Sequence, residues 1–288
     1  MNFKSLIVIV LSVVFGELLF AQDFDAIKTN ADQAYVSNNY PKALELYQQI
    51  LNGAEADSAD MALIYSNAGM CCTQLNQSNE AIAYFKKAVS YKVPQLMIYD
   101  KLIEMTKAAK DYKNYEFALL HKLEEFPDFI GDVNSKLAYH YYNTQQYDKV
   151  LEVTNTLIEW YPDNAKYWLF NAVARQNLND LPGAEKAYDK VLVLDPEQAG
   201  ANMGKGMILY NRATAMYDKM KNAYDALDKP DRVDYSNYRK EIEKPKAIFA
   251  KALPYLLKAY ENKAYASLSG IIKTTYLRLE DKQNADKY

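Results

Sequence analysis

The stretch KYWLFNAVARQNLNDLPGAEKAYDKVLVLDPEQ, Lys166 to Gln198, decides the fold. It reads as two amphipathic helices joined by a turn. Ala172 lies in the first helix, where a small side chain lets the second helix approach closely, and Ala184, 12 residues later, opens the second helix for the same reason. Tyr188 follows four residues on, on the same helix face, and fills the gap that the small residues leave. Asp195-Pro196 then closes the stretch, because proline cannot continue a helix.

Working outward, the pattern recurs. Pro127, Pro162 and Pro196 stand 35 and 34 residues apart, each near the end of an apolar-periodic segment. The pairs Ala31/Ala43, Gly69/Ala81, Ala138/Val150 and Ala172/Ala184 all keep the 12-residue separation. From Ala43 through Ala81, Tyr115 and Val150 to Ala184 the steps are 38, 34, 35 and 34. The four extra residues of the first step are placed in the polar loop Asn52 to Asp60. Bulky Ile103 and Tyr115 replace both small residues of the third unit, and Thr154 replaces the late aromatic of the fourth.

This pattern resembles the tetratricopeptide repeat, a helix-turn-helix unit of about 34 residues. The resemblance covers about Asp25 to Ala264, as six units and a partial seventh. It implies an all-α fold, a right-handed α-solenoid of tetratricopeptide-like repeats with an extended helical hairpin near the C-terminus. The expected organisation is a signal peptide over 1–21, five repeats over 22–200, and a sixth unit over 201–264 carrying a long helical insertion at 213–244. A capping helix and polar tail follow at 265–288. The insertion is read from a break in the ruler: Gly206 and Ala252 look like a small-residue pair, but 46 residues separate them instead of 12. Because Met207 to Leu227 holds an unbroken helical pattern, both helices of that unit are expected to be extended. Pro245 is expected to start the returning helix and Pro254 to kink it. Leu268 to Asp281 reads as the capping helix, and the tail after it is expected to fray.

The N-terminus reads as an address. Lys4 supplies the positive start, Leu6 to Phe20 the apolar stretch (interrupted by Glu17), and Ala21 the small residue at the cut. The ending Phe20-Ala21-Gln22 resembles export signals of certain Gram-negative bacteria, so a periplasmic or secreted protein beginning at Gln22 is expected, without an integral membrane span after cleavage. No cysteine near the junction offers a site for a lipid anchor.

Composition excludes several classes. With 34 basic and 37 acidic side chains the formal net charge is −3, and no Lys/Arg block stands clear of neighbouring acids, so no nucleic-acid surface is expected. The 26 tyrosines are read as recurrent packing residues of helical repeats. Cys71 and Cys72 are adjacent on one helix and read as free buried residues. His121 and His140 fall in different units and lack metal-ligand spacing. Gly204-Lys205-Gly206 lacks the rest of a phosphate-binding loop and reads as two close-packing glycines. No catalytic constellation, metal site or cofactor is implied, and the chain is expected not to be an enzyme.

What remains is binding. The family resemblance implies a groove lined by the outward side of each first helix, here carrying Tyr35, Met70, Gln74, Tyr139, Tyr142, Asn143, Gln176, Met207, Tyr210 and Asn211. It lacks the repeated Lys, Asn and Arg with which some family members clamp a carboxylate-ended chaperone peptide. Tyr217, Tyr224, Tyr235 and Tyr238 of the insertion, set among charged residues, suit an interface with an apolar centre and polar rim. The expected role is a scaffold or adaptor holding other proteins or peptide segments. The alternative is a structural subunit buried in a larger envelope or secretion assembly.

Overall fold

The computed structural model describes residues 24–53, 58–262 and 267–288. The leader read at Met1 to Ala21 lies outside the described residues, as do residues 54–57 of the loop expected between Asn52 and Asp60. No strand occurs among the described residues. The helices are α1 (24–36), α2 (Tyr40–Gly53), α3 (Ser58–Gln74), α4 (Ser78–Ser90), α5 (Leu96–Ala108) and α6 (Tyr112–Glu125). A 3-10 turn at Pro127–Phe129 leads into α7 (Ile130–Asn143), followed by α8 (Tyr147–Trp160), α9 (Ala165–Asn177) and α10 (Leu181–Leu194). The long α11 (Ala199–Asp225) and α12 (Arg232–Glu261) come next, then α13 (Ser269–Arg278) and α14 (Lys282–Ala285).

The helices gather into two compact units, one ending at Lys136 and the other starting at Leu137. In the first unit Ala43 and Ala81 are wholly buried, and Phe85 lies against Gly69 in the space that a Cβ would take. The Tyr47 hydroxyl donates to Asp32 Oδ1 at 2.6 Å and accepts from Asn67 Nδ2 at 3.1 Å, so a fully buried tyrosine keeps its polar tip satisfied. Where Ile103 and Tyr115 break the small-residue rule, both are still buried, and Tyr99 meets Phe126 edge-on at 5.2 Å. Lys122 is buried beside them, its ammonium 2.7 Å from Asp100 and 4.5 Å from the Phe129 ring centroid.

In the second unit Ala138, Val150, Ala172 and Ala184 are wholly buried. Gly204 of α11 lies against the Tyr188 ring of α10, where any Cβ would overlap it. Gly206 packs against Leu256, so both glycines of the Gly-Lys-Gly run are packing residues. The C-terminal core joins Leu209 of α11 to Ala252, Leu256 and Ala259 of α12 and to Leu268 and Ile272 beside and within α13.

The turns inside the helix pairs share one device that the sequence reading did not isolate. Asn38, Asn76, Lys110, Gln145 and Asn179 all have positive φ, from 56° to 64°, and follow one another at 38, 34, 35 and 34 residues. The residue after each donates its N–H to the carbonyl five residues back, at 2.8–2.9 Å, as in Asp180 to Arg175 and Gln77 to Cys72. Each first helix therefore ends in a left-handed residue whose turn satisfies carbonyls that the helix end would otherwise orphan.

The extended hairpin is present, with helices of 27 and 30 residues. Its return differs from the sequence expectation. Pro245 does not start the returning helix but lies inside α12, as does Pro254. The helix begins at Arg232 because Asp231 caps it: its carboxylate accepts from Val233 and Asp234 N–H at 2.7 and 2.8 Å, and Asp234 accepts from Asp231 N–H at 3.0 Å. This reciprocal capping box starts the helix upstream of either proline. The tail also differs. Tyr288 is held between Tyr260 and Tyr276, at 5.3 and 5.9 Å, and its carbonyl accepts from Ser269 Oγ at 2.9 Å. An aromatic clasp anchors residues whose polar composition had pointed to fraying.

Candidate functional site

The residues expected on the outward side of the first helices fall into several environments. In the first unit Tyr35 is half-buried and edge-on to Tyr40 at 5.9 Å, and burial pushes its hydroxyl pKa up. Met70 is half-buried and Gln74 exposed.

In the second unit Tyr142 stacks on Phe170 at 4.7 Å, and Tyr139 lies 6.4 Å from the same ring with 53% of its surface open. The Lys166 ammonium stands over Tyr139 and Phe170 at 5.4 and 5.5 Å. The result is an aromatic step with a cation above it and exposed Asn143 nearby in sequence. Gln176 is already engaged, accepting from the Tyr188 hydroxyl at 2.7 Å. Met207 and Tyr210 pack against the C-terminal core, Tyr210 meeting Phe249 edge-on at 5.7 Å. Asn211 is exposed. Met207 and Tyr210 are thus engaged in the hairpin's own packing.

The four hairpin tyrosines come together. Tyr224 stacks on Tyr238 at 4.7 Å and 19°, Tyr235 lies 6.1 Å from Tyr224, and the Tyr217 and Tyr238 hydroxyls are 3.5 Å apart. Burial, then the Tyr217 hydroxyl, pushes the Tyr238 pKa up to about 12. The Arg278 guanidinium lies 3.9 Å over Tyr217, and Glu280 accepts from both Arg239 and Lys246, so α13 and its end brace the hairpin. Ala213 and Ile242 are buried, which makes the base of the hairpin part of the fold rather than a free arm. Further out, Met220 and Ala223 of α11 and Leu227 just past its end line an open cavity of about 250 Å³, together with Asp234 and Glu241 of α12. Leu227, Val233 and Tyr235 are 44%, 64% and 52% exposed.

Neither cysteine is poised to react. Burial pushes the Cys71 and Cys72 thiols up, to about 12 and about 11, so neither is a thiolate at neutral pH. His121 holds the Phe117 carbonyl at 2.9 Å. No group of three or more His, Cys, Asp or Glu side chains is placed to hold a metal among the described residues. Nor is any described helix long and apolar enough to cross a membrane.

Residues 27–92 match the family model of the tetratricopeptide repeat. Residues 27–92 carry tetratricopeptide repeats. MamA from Desulfovibrio magneticus is 15% identical, with 68% of this chain and 98% of that one covered and a TM-score of 0.40. YrrB, described as a tetratricopeptide-repeat protein with an unusual peptide-binding site, is 20% identical over 66% of this chain and 97% of its own, at 0.38. The C-terminal part of a tetratricopeptide-repeat protein from Cytophaga hutchinsonii is 12% identical, over 88% and 93%, at 0.41. At TM-scores below 0.5 none of these superpositions adds to what the helices themselves establish. No curated protein matches the chain.

Within the tetratricopeptide frame, the sequence reading followed tyrosines and missed their companions. Phe170 and Lys166 complete the aromatic step, and Met220, Ala223 and Leu227 form the apolar floor of the hairpin. The second set was detectable, because 220, 223/224 and 227 keep helical spacing on one face.

Proposed function

We propose that this protein is a non-enzymatic adaptor for protein–protein interaction in the bacterial envelope, periplasmic or secreted. It holds partner segments on the outward side of its first helices and on its hairpin. Tetratricopeptide repeats serve as interaction modules, which supports binding as the role. The observation that carries the reading is the outer hairpin: apolar Met220, Ala223 and Leu227 lie open beside acidic Asp234 and Glu241, beyond the residues that the repeats need for stacking. An apolar centre with a polar rim is the usual anatomy of an interface.

The test pairs Leu227→Asp with Val233→Asp in the full chain. Both positions are exposed, so melting should match the parent, while crosslinking in the native envelope should lose its partners. Unchanged crosslinks would remove the hairpin from the reading. Mass spectrometry of native material should find Gln22 as the first residue, and intact Met1 to Ala21 would indicate an anchored form instead.

A second reading, a subunit buried in a larger assembly, draws on the large apolar side chains left open: Val36 at 79%, Val193 at 78% and Trp160 at 60%. Light scattering on the purified chain separates the two. An adaptor is a stable monomer or dimer, whereas an obligate subunit aggregates.

A further inference from the structure

The repeat register itself exposes an anomaly. Counting back from Asn171 and Arg175 in α9, the matching positions hold Leu137 and Tyr141 in α7, and Leu102 and Thr106 in α5. Those four are buried seam residues. In α9 the same seam carries an amide and a guanidinium.

The substitution is built, not tolerated. Asn171 is 2% exposed, and its Nδ2 donates to Thr154 Oγ1 and Asn155 Oδ1 at 3.1 and 3.0 Å. Its Oδ1 accepts from Arg175 Nε at 2.8 Å, and Arg175 Nη1 donates to Asp180 Oδ2 at 2.7 Å. A Cβ on Gly183 would stand 2.8 Å from Nη1, so that glycine leaves the corridor in which the guanidinium lies. A leucine and a tyrosine would fill the seam without desolvating polar groups, so repeat stacking does not require this network.

The guanidinium is held at the wall of an open groove of about 560 Å³ between α8, α9 and α10. Ile158 and Trp168 provide apolar surface there, and Trp168 Nε1 donates to the Pro162 carbonyl at 2.8 Å, which fixes the ring. Lys186 and Lys190 stand on the α10 side, exposed, four residues apart, and in no ion pair among the described residues. Against these three cations the groove sets Glu159, with Asp180 partly neutralising Arg175. The excess is positive in a chain whose formal net charge is −3.

We propose that this groove binds an acidic segment of a partner protein, with Asp or Glu carboxylates taken by Arg175, Lys186 and Lys190 and an intervening apolar side chain set on Trp168. A guanidinium already fixed by two partners loses little freedom on engaging a carboxylate, and charge-assisted hydrogen bonds are the strong ones. The site lies apart from the first-helix face and the hairpin, and stands or falls independently of them.

Trp160→Phe leaves Trp168 as the single indole reporter. The probe is a synthetic peptide rich in Asp and Glu around one Leu, compared with a counterpart whose acids are all replaced by Asn and Gln. The acidic peptide should shift Trp168 emission saturably and the amide counterpart should not. Lys186→Glu with Lys190→Glu should weaken binding about tenfold or more, since like charges then face the ligand, and leaves the buried network untouched. Equal binding of the two peptides, or undiminished binding by the double variant, overturns the proposal. A second pair, Asn171→Leu with Arg175→Tyr, restores what Leu137 and Tyr141 hold. It should keep the melting temperature and lose the peptide. A melting temperature that falls steeply would show that the network serves stability and would overturn the proposal too.

Discussion

A Cβ on Gly69 would stand 2.6 Å from Cδ1 and Cε1 of Phe85, a ring that is itself wholly buried. The two residues thus set the spacing of α3 and α4, one by its absence of side chain and the other by its size. The ring has no solvent side to retreat into, so Gly69→Ala must push the helices apart or force an off-rotamer ring. The overpacking cost of about 1–3 kcal/mol outweighs the roughly 1 kcal/mol that alanine gains over glycine in a helix interior. Melting should fall by several degrees. Gly270→Ala is the control, because nothing lies within 4 Å of its Cβ position, and it should hold or raise the melting temperature. Equal effects of the two would show that the α3–α4 contact is not tight.

The carboxylate of Glu280 gives a pH-dependent signature. Arg239 Nη1 and Lys246 Nζ donate to it at 2.7 and 2.8 Å and hold its pKa well below the usual value, at about 2. The folded state therefore binds that proton less readily than the unfolded chain. Stability from this brace is present above the ordinary carboxylate pKa and is lost as pH falls towards 2. Glu280 is open to solvent, so the effect is small and screened by salt. The melting difference between the parent and Glu280→Gln should be greatest near neutral pH and fade below about pH 4.5. A difference that grows on acidification would contradict the pairing.

How much of this was legible follows from the range of each interaction. The small–large rule is local: Ala172, Ala184 and Tyr188 lie within 17 residues, so spacing alone exposes the helix pair. The fates of the tyrosines are not local. Tyr217 and Tyr238 meet only because a capping box at Asp231 starts α12 where it does, and Pro245 was the louder but misleading signal. Gln176 looked like an open face residue, yet Tyr188, twelve positions later, takes its oxygen. The Asn171–Arg175 network leaves no mark in the small-residue ruler, because it occupies seam positions that hold Leu137 and Tyr141 in α7 and Leu102 and Thr106 in α5.

The turns supply an independent stability test. Lys110 and Gln145 sit at φ 56° and 58°, where an L side chain is strained by roughly 1 kcal/mol and glycine is not. Both side chains are exposed. Lys110→Gly and Gln145→Gly should each raise melting slightly or leave it level, whereas Gln145→Val should lower stability by about 1–2 kcal/mol and melting with it, since a β-branched residue resists that region most. A glycine variant that melts clearly lower would show that the turn is not left-handed.

The boundary between fold and free surface within the hairpin can be located by deletion. Ala213 and Ile242 are buried, Asp218 and Tyr217 meet Arg278, and Arg239 meets Glu280, so the braced part of the hairpin ends near Asp218 on the way out and Arg239 on the way back. The outer residues, 219 to 238, contribute the Tyr224–Tyr238 stack and the Met220–Leu227 floor, joined to the braced part where the Tyr238 hydroxyl meets that of Tyr217. Replacing 219–238 with a short Gly/Ser turn is sterically open, because the two helices run side by side where the turn would join them, at the level of the Tyr217–Tyr238 contact. That protein should keep its helicity per residue and its melting temperature within a few degrees, because units of a repeat array depend mainly on their neighbours. Replacing the whole of 213–244 should behave differently. It removes Ala213 and Ile242 from the core, takes Tyr217 and Asp218 from Arg278 and takes Arg239 from Glu280, so hydrogen exchange in α13 should rise sharply. If the shorter deletion loosens α13 as much as the longer one, the tyrosine stack is part of the fold, and the outer hairpin is no free binding surface.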